Sequence, residues 1–85
     1  MGRHLIEKYT ESELNKIIFN ENTKTNTKFL LVAKGVKDYI FTKIFKQSEI
    51  KIFDDYINIR TKFSSASKPI KDIILVEQLN QISGF

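Results

Sequence analysis

Glu49-Ile50-Lys51-Ile52-Phe53-Asp54-Asp55-Tyr56-Ile57-Asn58-Ile59-Arg60 reads as a β-hairpin. With Asp54-Asp55 as a two-residue turn, Phe53 faces Tyr56, Ile52 faces Ile57, Lys51 faces Asn58, Ile50 faces Ile59 and Glu49 faces Arg60. Strand side chains alternate with a period of two, so this register gathers all four isoleucines on one face and closes with an opposite-charge pair. The pattern specifies architecture, and nothing of similar quality in the chain points to a catalyst.

Working outward, Lys28 to Lys34 is almost continuously apolar, the pattern of a strand covered on both sides, and Gly35 supplies a turn after it. Asp38 to Lys46 is a second strand, with Tyr39, Phe41 and Phe45 on one face and Ile40 and Ile44 on the other. Both faces want cover, and the loop near Gln47-Ser48 decides whether Phe45 or Ile44 joins the isoleucine face. Glu49 to Phe53 and Tyr56 to Phe63 are the remaining two strands, with Ile57, Ile59 and Phe63 alternating against Asn58, Arg60 and Lys62.

Before the strands, Thr10-Glu11-Ser12-Glu13 is a capping box that starts a helix running to about Phe19, with Leu14, Ile17 and Ile18 as its apolar stripe and Asn20 as terminator. Asn20 to Thr27 is polar and reads as a solvated surface loop. After the strands, Ser64-Ser65-Ala66-Ser67 reads as a connector. Ser67 as N-cap, Pro69 in the first turn and Gly84 as a stop favour a C-terminal helix over 68–82. Against this, Ile73-Ile74-Leu75-Val76 is branched and apolar nearly all round a helical wheel, which suits a buried strand. The expectation is an α+β fold: an N-terminal helix, a four-stranded antiparallel β-meander and a C-terminal helix. The alternative makes the C-terminal segment a fifth strand of a small, barrel-like object. In that alternative Lys68 to Glu77, following the Asp-turn hairpin, resembles the closing strands of bacterial pleckstrin-homology-like domains, over less than half of the chain and through generic β patterning.

Eighty-five residues are the size of one domain, expected to span 1–85, and a chain of this length buries only roughly 60–65% of its unfolded surface. With 41% apolar and 28% charged residues, the composition is that of an ordinary globular protein. The absence of cysteine excludes disulfides, thiolate metal sites and thiol catalysis. No apolar run approaches the ~20 residues that span a bilayer, and the first residues lack the apolar stretch of a secretion signal. A cytoplasmic, non-membrane protein is the expectation. Ile, Lys, Phe and Asn make up 38 of the 85 residues, a bias expected of an AT-rich genome such as that of a low-GC bacterium or one of its phages.

Chemistry is sparse. His4, the one histidine, stands near the start, so no hydrolytic triad can be drawn. Asp54 and Asp55 are adjacent, but aspartate is favoured in tight turns and consecutive strand positions point to opposite faces, so a turn is the better reading than a metal site. Gly2, Gly35 and Gly84 are too scattered to cradle a phosphate. No enzyme, no cofactor and no metal are expected.

Charge is uneven. Residues 28–71 carry ten basic and four acidic side chains, whereas residues 1–27 balance at four and four. One reading of a lysine-rich sheet surface is that it keeps the protein soluble and guards its edge strands. The hairpin face opposite the isoleucines carries more than charge: Lys51, Phe53, Tyr56, Asn58 and Arg60, with Lys62 beyond. The candidate binding residues are Lys51, Phe53, Tyr56, Arg60 and Lys62. Aromatic and arginine side chains are frequent interface anchors, which points to a small protein-binding regulator or inhibitor from a phage or mobile element, with a host or defence protein as partner. The alternative is a nucleic-acid-binding module using the same basic, aromatic face; the shortage of arginine, two against twelve lysines, weighs against it. Oligomeric state is not legible.

Overall fold

A computed structural model of the chain describes residues 9–79. Its elements are α1 (Glu11–Ile18), β1 (Lys28–Lys34), β2 (Ile40–Lys46), β3 (Ile50–Ile52), β4 (Tyr56–Arg60), β5 (Ser65–Pro69) and β6 (Ile73–Gln78). Single 3-10 turns, Gln47–Glu49 and Ile70–Asp72, precede β3 and β6. The fold is α+β. Two antiparallel three-stranded sheets, ordered β2-β1-β6 and β3-β4-β5, share one core with α1, and no closed barrel forms.

The helix follows its start and stop chemistry. Glu13 N–H donates to Thr10 Oγ1 at 3.1 Å, and Thr10 N–H donates back to Glu13 Oε1 at 3.1 Å, so two amides that a helix start leaves unpaired are satisfied reciprocally. Leu14 and Ile18 are fully buried. At the other end, Asn20 Nδ2 donates to the carbonyls of Lys16 and Ile17, and the Thr23 hydroxyl donates to that of Ile18. Gln47 Nε2 reaches the same Ile18 carbonyl from the far side of the first hairpin, at 2.9 Å. Asn20 to Thr27 is a largely exposed surface loop, and parts of it also cap the helix and tie it to the β2–β3 connection.

β1 is central in its sheet, and its burial alternates. Phe29, Leu31 and Ala33 are completely buried, while Leu30 and Val32 on the opposite face are half-buried. The continuous apolar run therefore does not mean cover on both sides. β2 starts at Ile40 because Lys37 and Asp38, with φ of 50° and 62°, form the turn itself. Positive φ at both central residues matches the right-handed twist of a hairpin, although neither residue is the Asn or Gly that adopts it easily. Gly35 lets the strands close beside this turn: its N–H donates to the Tyr39 carbonyl at 2.7 Å, and a Cβ there would lie 2.9 Å from that oxygen. Of the two candidates for the core, Phe45 is chosen. It stacks on Phe29 with ring centroids 5.7 Å apart, and Ile44 is 57% exposed.

The isoleucine hairpin has the expected register, Ile50 opposite Ile59, Lys51 opposite Asn58 and Ile52 opposite Ile57. Ile50, Ile57 and Ile59 are buried and Ile52 packs against them. The outermost pair differs. Glu49 belongs to a 3-10 turn, where its carboxylate accepts the Lys46 N–H at 2.8 Å, rather than to a strand rung with Arg60. β4 also ends earlier than expected. The Thr61 hydroxyl accepts from the amides of Phe63 and Ser64, forming a turn that leaves Phe63 91% exposed.

The largest correction is C-terminal. The serine-rich segment is a strand, β5, paired with β4 from Tyr56–Pro69 to Arg60–Ser65. The expected C-terminal helix over 68–82 is absent among the described residues: Pro69 is extended (φ −63°, ψ 141°), one 3-10 turn follows, and Ile73 enters β6. Pairing with the second edge of β1 uses backbone groups that a helix would have left unmatched on that strand, and branched Ile-Ile-Leu-Val suits a strand. The five-stranded alternative was right about this strand but not about a barrel. Residues 80–82 and Gly84, invoked for the helix end, lie outside the described residues.

Tyr9 completes the core in a way its position just before the helix cap does not announce. Its ring is buried, and its hydroxyl accepts the Val76 N–H at 3.2 Å, so an amide of edge strand β6 is satisfied by a side chain 67 residues away. Tyr9→Phe should therefore lower stability by about 1–3 kcal/mol, because the amide is left unpaired in a buried place. Urea unfolding of the two proteins measures it; equal stability would show that the hydroxyl does not hold that strand.

Candidate functional site

With its isoleucine face in the core, the β3-β4-β5 sheet presents its other face to solvent. β4 lies in the middle and sets the order of the side chains. Alternation turns Tyr56, Asn58 and Arg60 outward, and the register places Lys51 and Ser67 on either side of Asn58, Pro69 beside Tyr56 and Ser65 beside Arg60. A shallow depression of about 390 Å³ runs over this face, lined by Ser48, Glu49, Lys51, Phe53, Tyr56, Asn58, Arg60 and Ser67.

The face is graded from end to end. At the turn end the Phe53 and Tyr56 rings stack, with centroids 4.5 Å apart and planes inclined by 11°. The hydrogen bond from Phe53 N–H to the Tyr56 carbonyl, 2.8 Å, holds the two backbones together beneath them. Neither ring is covered by a helix; they are 38% and 39% exposed. In the middle, Asn58 Nδ2 donates to Ser67 Oγ at 2.9 Å and also approaches the Ala66 carbonyl, so the amide is held by β5 with its orientation set. At the far end stand Arg60 and Glu49, the latter oriented by the Lys46 amide.

Four of the five residues singled out from sequence, Lys51, Phe53, Tyr56 and Arg60, come together here. Lys62 does not: it sits exposed in the turn after β4 and does not line the depression. Sequence reasoning missed Ser67 and Ser48 as lining residues. Ser67 could be found only by recognising β5, whose small polar residues carry no apolar alternation. Asp54 and Asp55 are exposed in the hairpin turn, and the Asp55 carbonyl accepts from Ile70 N–H at 2.9 Å, which fastens that turn to the 3-10 turn that follows β5. Among the described residues no group of three or more His, Asp or Glu side chains stands together as a metal site, and His4 lies outside them.

This arrangement can stack on a flat or apolar group at one end, pair with charge at the other and accept or donate hydrogen bonds between. Among the described residues no helix is long and apolar enough to cross a membrane. Comparison with family models, with curated proteins and with solved structures finds no match.

The stacked pair itself is open to measurement. A double-mutant cycle on Phe53→Ala and Tyr56→Ala, read by urea unfolding, should show a coupling of about 0.5–1.5 kcal/mol, the range of a stacked aromatic pair. Additive losses would mean that the rings do not rest on each other in solution.

Proposed function

We propose that the protein is a non-enzymatic binding module that regulates or inhibits a partner protein docked on the outer face of β3-β4-β5. The observation that carries this reading is the Phe53–Tyr56 stack, two large rings held rigidly at the surface by a hairpin whose other face is core. A rigid aromatic loses little entropy when it is covered, and aromatic and arginine side chains supply much of the binding energy where they are desolvated at an interface. The lack of cysteine and the single histidine are in keeping with binding rather than catalysis. An AT-rich composition suits a phage or mobile-element origin, for which a host or defence protein is the natural partner.

A nucleic-acid ligand is the second reading, favoured by Lys51 and Arg60 on the same depression. Two details weigh against it. The rings stack on each other, so each has one face already occupied, and Glu49 puts a carboxylate, which repels phosphate, in the same depression as Lys51 and Arg60.

The test uses protein captured from a host lysate treated with nuclease, followed by affinity measurement with single variants. A protein partner should survive nuclease and lose about 2 kcal/mol or more with Phe53→Ala or Tyr56→Ala, whereas Lys51→Ala should mainly slow association. Lys62→Ala, outside the depression, should change little. If instead binding vanishes with nuclease, and Lys51→Ala and Arg60→Ala each weaken it on unrelated sequences while flattening its salt dependence, the ligand is nucleic acid. Unchanged binding in every variant would remove this face from consideration.

A further inference from the structure

The β2-β1-β6 sheet also has an outer face, and its character is opposite to that of the first. Leu30 and Val32 on the central strand are half-buried, and around them Ile40, Ile44, Ile74 and Leu75 are exposed. The register makes them neighbours: Leu30 lies opposite Ile44, Val32 opposite Leu75, and a bulge at Val32/Ala33 adds Ile74 to the β6 edge. Exposed apolar residues scattered singly need no explanation, but four that surround two half-buried ones on one sheet face do.

The rim says what covers them. Lys28 and Lys46 pair at one end of the sheet, Lys34 stands opposite Ile40 at the other, and Glu77 beside Leu30 is the one acid on the face among the described residues. Lys37 and Asp38 in the adjoining turn balance each other. A second copy fits this poorly. Stacked about a two-fold axis along β1, Lys28 lies over Lys28; about an axis across it, Lys28 lies over Lys34. Either arrangement sets like charges against each other over the central strand. Residues 1–8 and 80–85 hold one acidic side chain, Glu7, against Arg3 and Lys8, so their charge does not match a lysine rim.

We propose that this face docks an acidic amphipathic helix of another protein, independently of the aromatic face. Dimensions agree with such an occupant. The outer strands of a three-stranded sheet stand about 10 Å apart, the diameter of one α-helix, and the seven residues of β1 extend about 20 Å, which four helical turns match. The apolar stripe of the helix would lie over Leu30 and Val32, with carboxylates near both ends meeting Lys28, Lys46 and Lys34.

The test is a methyl NMR titration of the whole protein with a synthetic helical peptide of roughly 16 residues, leucine on one stripe and glutamate beside it, and with the same peptide carrying lysine for glutamate. The glutamate peptide should shift the Leu30, Val32, Ile44 and Leu75 methyls saturably, and the lysine peptide should bind roughly tenfold more weakly or less. Ile44→Glu, at an exposed position that tolerates it, should weaken the glutamate peptide by roughly tenfold or more, and Phe53→Ala on the other face should leave it unchanged. Equal binding of the two peptides, or Ile44→Glu without effect, would overturn the proposal. So would concentration-dependent shifts of these methyls without peptide, which would mean a second copy, or the same shifts produced by phosphatidylserine vesicles, which would mean a membrane surface.

Discussion

Burial of Phe29, Leu31 and Ala33 along one face of β1 is the contact on which the rest of the structure depends. These three side chains are completely buried, Phe29 stacks on Phe45 of β2, and Val76 of β6 stands opposite Leu31. The same face joins the isoleucines of β3 and β4 in one core, with α1 against β6 and β3, an edge strand of each sheet. Two cationic side chains bridge the sheets beside this core. Lys43 Nζ donates to Ser64 Oγ at 2.9 Å, and Lys68 Nζ sits 4.6 Å from the centre of the Phe41 ring. The isoleucine hairpin, which would be marginal alone, is stable because it has this surface to cover.

A chain of this size has material for one core only, so each sheet has one face inside and one outside. The two outer faces then differ by composition. That of β3-β4-β5 is graded from stacked aromatics through a held amide to charge, and that of β2-β1-β6 is aliphatic with a lysine rim. Under the two proposals above, these faces of different chemistry serve as separate docking surfaces.

What could be read from the sequence was whatever rested on local periodicity. The capping box at Thr10, the bounds of β1 and the register of the isoleucine hairpin all depend on neighbours in the chain, and the outward placement of Lys51, Phe53, Tyr56 and Arg60 follows from that register. What could not be read depends on partners far away. β5 has almost no apolar alternation and exists because β4 offers it an edge and Asn58 binds Ser67. β6 loses its alternation to the bulge that inserts Ile74, which is why its residues looked apolar all round a helical wheel. Likewise Tyr9 and Gln47 act on groups 67 and 29 residues away, where no spacing rule reaches. Lys62 leaves the sheet face because Thr61, through its own hydroxyl, forms a turn and β4 ends at Arg60, three residues before the expected Phe63.

Both sheets rest on one shared core and therefore should open together. Native-state hydrogen exchange followed by NMR tests it directly, by comparing the slowest amides of β1 with those of Ile57 and Ile59 on β4 under increasing urea. Both sets should exchange through the same global opening, with one free energy and one denaturant dependence. Exchange of the β4 amides by a separate opening, several kcal/mol lower than that of β1, would show two sheets folding on their own and would contradict it.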